Sequence, residues 1–192
     1  MVHDPLSDPI ARTPQRAYKI DTSLASPLRR LPARIAAYPS RLARRNLERG
    51  ATFRLPSGQA VARALGEEVI PDKDLVIGKA TEKGEKTPLC EIGESFARRA
   101  PLWAYILSEA QVTSWRNADP AAPRNDVPIK LGPVGSRLVA GVFAALLLGD
   151  PTSYLGTDHL RGGTPFTPIT DFTRNEKFGL AELINVALTP TL

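Results

Sequence analysis

Two histidines, one cysteine and a block of arginines are the side chains in this 192-residue sequence from which chemistry could be built. His3 lies in the proline-flanked stretch "MVHDPLSDP", and His159 lies in the turn-rich stretch "GTDHLRGG". Neither has a second histidine at the His-x-x-x-His spacing that would aim two imidazoles at one zinc ion, and neither belongs to a Ser/His/Asp set. Both read as surface histidines. Cys90, the single cysteine, excludes an internal disulfide framework and any multi-cysteine metal site. No catalytic residue and no metal ligand is assigned from these side chains. Gly132, Gly135 and Gly141 are set among apolar residues, a context that suits close helix packing better than cradling a phosphate.

The arginines concentrate between Arg29 and Arg54, and the whole chain carries a net charge of +5 with an isoelectric point near 9.6. Such a balance can draw nucleic acid or an anionic membrane. No aromatic residues interleave with the block as a base-stacking surface requires. The reading adopted is therefore a solvated helix face, and nucleic acid is not an expected partner.

One polar residue breaks this pattern. On a helical wheel of about 100° per residue, Arg41, Arg44, Arg45, Glu48 and Arg49 fill one arc. Leu42, Ala43, Leu47 and Gly50 fill the opposite arc, and Asn46 falls among them. An amide aimed inward needs partners, because an unpaired buried amide costs about 1–3 kcal/mol. It could bond a neighbouring backbone group, or it could orient another polar side chain such as a ligating histidine.

The elements that must position Asn46 read as helices. Residues 1–19 form an extended or disordered arm, and Pro27 and Pro32 limit the next stretch to short turns. A helix is predicted over 40–49, with Ser40 as N-cap and Gly50 as terminator. A second runs from Ser57 to Leu65 and is closed by Gly66. Residues 67–99 read as a short helix and a solvent loop. A buried helix spans about 101–113, starting at Pro101, with Trp103 and Tyr105 as core residues. A loop covers 117–130, a long apolar helix about 134–148, turns 150–178, and a short terminal helix "GLAELINVAL". No alternating Val/Ile-rich strand set is evident. The predicted fold class is all-α: an irregular multi-helix domain over residues 20–192 with long Pro/Gly-rich loops.

The ordered stretches "LARRNLERG", "LPSGQAVARALG", "TPL", "PLWAYILSEA" and "LGPVGSRLVAGVFAALLLGDPTSYL" resemble the C-terminal part of bacterial haem peroxidases. These belong to the superfamily that includes myeloperoxidase and the cyclooxygenases. The resemblance extends from "IDTSLASPL" to "GLAELINVAL" and implies a largely helical fold around one haem. It also implies a role for Asn46: in that family the matching asparagine accepts a hydrogen bond from the non-ligating ring nitrogen of the proximal histidine. Holding that N–H fixes the imidazole and raises its basicity at iron.

The same resemblance places the distal histidine, the distal arginine and the proximal histidine upstream of the matched stretch. A distal pair moves a proton between the peroxide oxygens and stabilises the departing charge. Neither His3 nor His159 falls where the family has a ligand, and Met1 is the sole methionine, so no axial ligand is expected from this chain. The expected function is that of a haem peroxidase family protein, hydrogen-peroxide-dependent and haem-binding, truncated and inactive as an isolated chain. Its expected partners are an N-terminal peroxidase half or a second copy meeting it through uncovered apolar helices. A non-catalytic helical interaction module is the alternative, and an anionic-polymer binder ranks last. No export signal and no bilayer-length apolar run is read, since a span takes about 20 residues, and a cytoplasmic location is expected.

Overall fold

The computed structural model describes residues 19–36, 38–151, and the single positions Ser153, Thr173, Gly179, Glu182 and Ile184. His3 and His159 both lie outside the described residues, as do the arm over residues 1–18 and nearly all of the turns predicted beyond 151. Of the predicted terminal helix, Gly179, Glu182 and Ile184 are described, and the last two are helical.

The helices in chain order are α1 (Ser26–Arg29), α2 (Leu42–Thr52), α3 (Gly58–Leu65), α4 (Leu89–Ile92), α5 (Leu102–Arg116) and α6 (Pro133–Gly149). Single 3₁₀ turns occur at Asp72–Asp74 and Glu94–Phe96. Between α3 and α4 the chain also forms two strands, β1 (Val76–Gly78) and β2 (Lys86–Pro88). They pair antiparallel with Val76 opposite Pro88, Ile77 opposite Thr87 and Gly78 opposite Lys86. The all-α, haem-peroxidase-like fold class is therefore corrected to a mixed one, largely helical with a small antiparallel hairpin.

The hairpin escapes a periodicity argument because three residues per strand are too few to display alternation. Its register is fixed from outside. Leu75 and Leu89, flanking the two strands, are buried in the core, and Leu89 N–H donates to the Leu75 carbonyl at 2.8 Å. Residues 19–23 strap the hairpin's free edge. The Thr22 hydroxyl oxygen takes the Gly78 N–H at 2.7 Å and its O–H meets the Gly78 carbonyl at 2.9 Å. Buried Asp21 accepts the Ala80 N–H at 2.8 Å.

The described residues fall into two compact units, divided between Leu138 and Val139. The core of the first unit gathers Ala62, Ile70, Leu75, Leu89, Ala100, Tyr105 and Val134. A smaller cluster forms where the loop after α5 turns Val127 and Ile129 onto Ala80 and Ala110. Residues 117–130 hold no helix or strand, as predicted, yet they carry core side chains.

Three predicted helices differ in detail. α2 starts later and runs through Gly50 to Thr52, and Arg41 is its N-cap without a side-chain cap bond. A glycine costs a helix only about 1 kcal/mol, and here the left-handed turn falls on Arg54 (φ 51°) instead. α5 runs on to Arg116, and its buried face includes Ser108, Glu109 and Gln111 beside Ala104, Tyr105 and Ala110. α6 is long and apolar as predicted, but it is not buried: from Val139 onward only Leu147 is even half-buried. Ser57 and Gly66 bound α3 as expected. The Ser57 hydroxyl accepts from Ala60 N–H, and Gly66 takes φ 70°, where a Cβ would be strained.

Candidate functional site

Asn46 projects from α2 into a cavity of about 510 Å³ whose other walls come from the α2–α3 turn and from residues 96–103. The lining is mostly apolar, with Leu47, Leu55, Phe96, Leu102 and Trp103 around Asn46, and Ser57 and Arg99 as its other polar members. Local sequence explains how these pieces meet. Leu55 N–H returns to the Gly50 carbonyl at 2.9 Å, which folds the chain back after α2. Ser57 then bridges to Pro101, and Gly58 N–H donates to the Ala100 carbonyl at 2.9 Å, tying the start of α3 to the start of α5.

The floor behind this cavity is held by hydrogen bonds of buried Gln59 and half-buried Asp72. Gln59 donates to an Asp72 carboxylate oxygen at 3.0 Å and accepts Ala100 N–H at 3.0 Å. The other Asp72 oxygen takes Arg98 N–H at 2.8 Å. Tyr105, a core residue as predicted, accepts Ile70 N–H at 3.1 Å through its phenolic oxygen. Burial pushes its phenol above the ordinary value, so it stays protonated at neutral pH. Trp103, by contrast, is half-buried on the cavity wall.

Asn46 itself is half-buried, and its amide makes no hydrogen bond among the described residues. The wheel placed it correctly in the apolar arc, but that arc borders an open cavity and not a sealed core. No residue of α2 is fully buried, and Leu47 and Leu55 are exposed. The opposite arc is solvated at Arg41, Arg44, Glu48 and Arg49, with Arg44 paired to Glu48 at 2.6 Å across one exposed helical turn, while Arg45 is half-buried and donates to the Pro39 carbonyl at 3.4 Å.

The cavity lining fits the task of steadying an imidazole, since an amide oxygen free in an apolar wall is the acceptor an N–H requires. It does not fit the task of binding iron. None of its described lining residues is a histidine, cysteine, tyrosine or methionine. Among the described residues no group of three His, Cys, Asp or Glu side chains could hold a metal ion. Cys90 is half-buried with Sγ 3.8 Å from the Asp72 carbonyl and does not line this cavity.

Two features passed unnoticed in the sequence. Glu109 lies on the buried face of α5, 1% exposed, and its two carboxylate oxygens accept Val134 and Gly135 N–H, each at 3.1 Å. Burial raises its pKa above the usual carboxylate range, outweighing the two backbone hydrogen bonds that favour the ionised form. A Cβ on Gly132 would strike this carboxylate and one on Gly135 would crowd Ile106, so both serve close packing as predicted. Gly141, whose Cβ would meet nothing, does not. The second feature is a cationic cavity against α1 and the start of α2, lined by Arg29, Arg30, Arg41 and Lys79. The sequence signal for it was the arginine block, but a block does not reveal which of its members converge.

Comparison with family models, with curated proteins and with solved structures found no match. No helix among the described residues is long and apolar enough to cross a membrane.

Proposed function

We propose that this chain supplies the C-terminal part of a haem peroxidase, has no peroxide turnover by itself, and contributes Asn46 as the acceptor that holds an imidazole donated by another polypeptide. The observation that carries this reading is the unpartnered Asn46 amide on the wall of an apolar cavity. Haem would be the assembled protein's cofactor, and its iron ligand would come from the partner half. The reading places the protein in the cytoplasm, in keeping with a single cysteine and no disulfide framework.

Haemin titration of the purified chain, followed in the Soret band, tests it with free imidazole standing in for the absent side chain. Haemin alone is expected to give no saturable change. Haemin with excess imidazole is expected to bind saturably, and Asn46→Ala to weaken that binding by about tenfold. An equal response in Asn46→Ala, or a tight spectrum in haemin alone that His159→Ala abolishes, overturns the reading.

The alternative, a non-catalytic helical interaction module, is favoured by α6. Val142, Phe143 and Leu146 are 59%, 62% and 64% exposed on it, an apolar face of the kind that marks a partner site.

A further inference from the structure

Arg29, Arg30 and Arg41 line one cavity of about 790 Å³ with Thr22, Ser23 and Lys79, and none of its described lining residues is a carboxylate. None of the three guanidinium groups makes an ion pair or hydrogen bond among the described residues. This is unlike the other arginines that the fold uses: Arg44 pairs with Glu48, Arg116 with Glu68, and Arg137 with Glu67. The acid nearest in sequence, Asp21, is buried and does not line the cavity, its two oxygens being turned to backbone and hydroxyl donors. One of its oxygens takes Ala80 N–H at 2.8 Å, and the other takes the Ser23 N–H at 2.8 Å and hydroxyl at 2.5 Å. That same bonding holds the 21–23 segment, and so the cavity wall, in place.

Ala43 in the first turn of α2 also borders the cavity, and no side chain caps that helix start. Its free N–H groups add positive potential on the same side. Three guanidinium groups converging on one concavity, with no carboxylate among its described lining residues, favour an oxyanion there. Guanidinium forks match phosphate and carboxylate oxygens two at a time. The space exceeds what a single phosphate fills, and its lining includes no aromatic side chain on which a base could stack.

From this geometry we infer that the cavity between α1 and the start of α2 is a binding site for a small, multiply charged phosphoanion of the diphosphate type. The site is separate from the Asn46 cavity and independent of the peroxidase reading.

Isothermal titration of the full chain with sodium pyrophosphate tests it, alongside sulfate and a single-stranded oligonucleotide. Pyrophosphate is expected to bind saturably, one per chain, and more tightly than sulfate. Arg29→Ala and Arg41→Ala, at exposed positions, are each expected to weaken it by about tenfold, while Arg54→Ala, outside the cavity lining, leaves it unchanged. Absence of saturable binding, equal weakening by Arg54→Ala, or affinity confined to the oligonucleotide overturns the assignment.

Discussion

At Gly58 the first turn of α3 passes against the ring of Tyr105, and a Cβ there would sit 2.0 Å from Tyr105 Cγ. No side chain can be accommodated without moving a ring that is itself fully buried and bonded to Ile70 N–H. Gly58→Ala is therefore expected to destabilise the first unit by about 3 kcal/mol, read as a lower midpoint in urea unfolding. Gly141→Ala is the contrast. It sits in the middle of α6 with nothing within reach of an added Cβ, and it is expected to stabilise that helix by about 0.5–1 kcal/mol. Similar effects at the two positions would contradict the packing described for Gly58. Asn46 belongs to this scale as well: its type and its place on the wheel were legible, while its lack of a partner was not. Whether an amide finds an acceptor depends on residues far away in sequence, here 96–103.

Between elements, one carboxyl group joins α5 to the start of α6 alongside the packing of Val134 and Gly135. Glu109 receives the first N–H groups of α6, which have no intrahelical partner of their own. Its pKa lies above the ordinary 4.5, so the folded state keeps the proton to higher pH than the unfolded chain does. The stability this group contributes is full below 4.5 and is lost as pH rises through the folded value. Thermal midpoints measured from pH 4.5 toward neutrality should therefore fall less steeply in Glu109→Gln, which cannot ionise. An unchanged slope would show that this group does not titrate between the two states. The hairpin illustrates why elements were read unevenly. α3 was bounded correctly because its signals, Ser57 and Gly66, are local. β1 and β2 were missed because their support comes from Thr22, Asp21 and two flanking leucines, none of them adjacent to both strands.

For the molecule as a whole, the uncovered face of α6 has the broadest consequence. Val139, Val142, Phe143, Leu146 and Leu148 are all exposed on this apolar helix. Both a peroxidase half awaiting its complement and an interaction module would carry such a face, so its occupancy bears on both readings. Phe143→Glu with Leu146→Glu is expected to leave the urea midpoint of the first unit within about 0.5 kcal/mol of the parent, as surface changes do. The same change is expected to reduce self-association in size-exclusion chromatography or light scattering. An unaltered oligomer would indicate that this face is not where copies meet.

The sequence by itself determined the helices with local start and stop signals, the short reach of the proline-limited stretch, the solvated arginine arc and the apolar setting of Asn46. All of these follow from the period of a helix and from residues within a few positions of one another. Only the tertiary structure decided that a hairpin forms at 76–88, that Glu109 is buried against the start of α6, and that three arginines share one cavity with no carboxylate among its described lining residues. It also decided that the apolar length of α6 lies open. Periodicity records which side of an element is apolar, but what covers that side depends on contacts between distant residues.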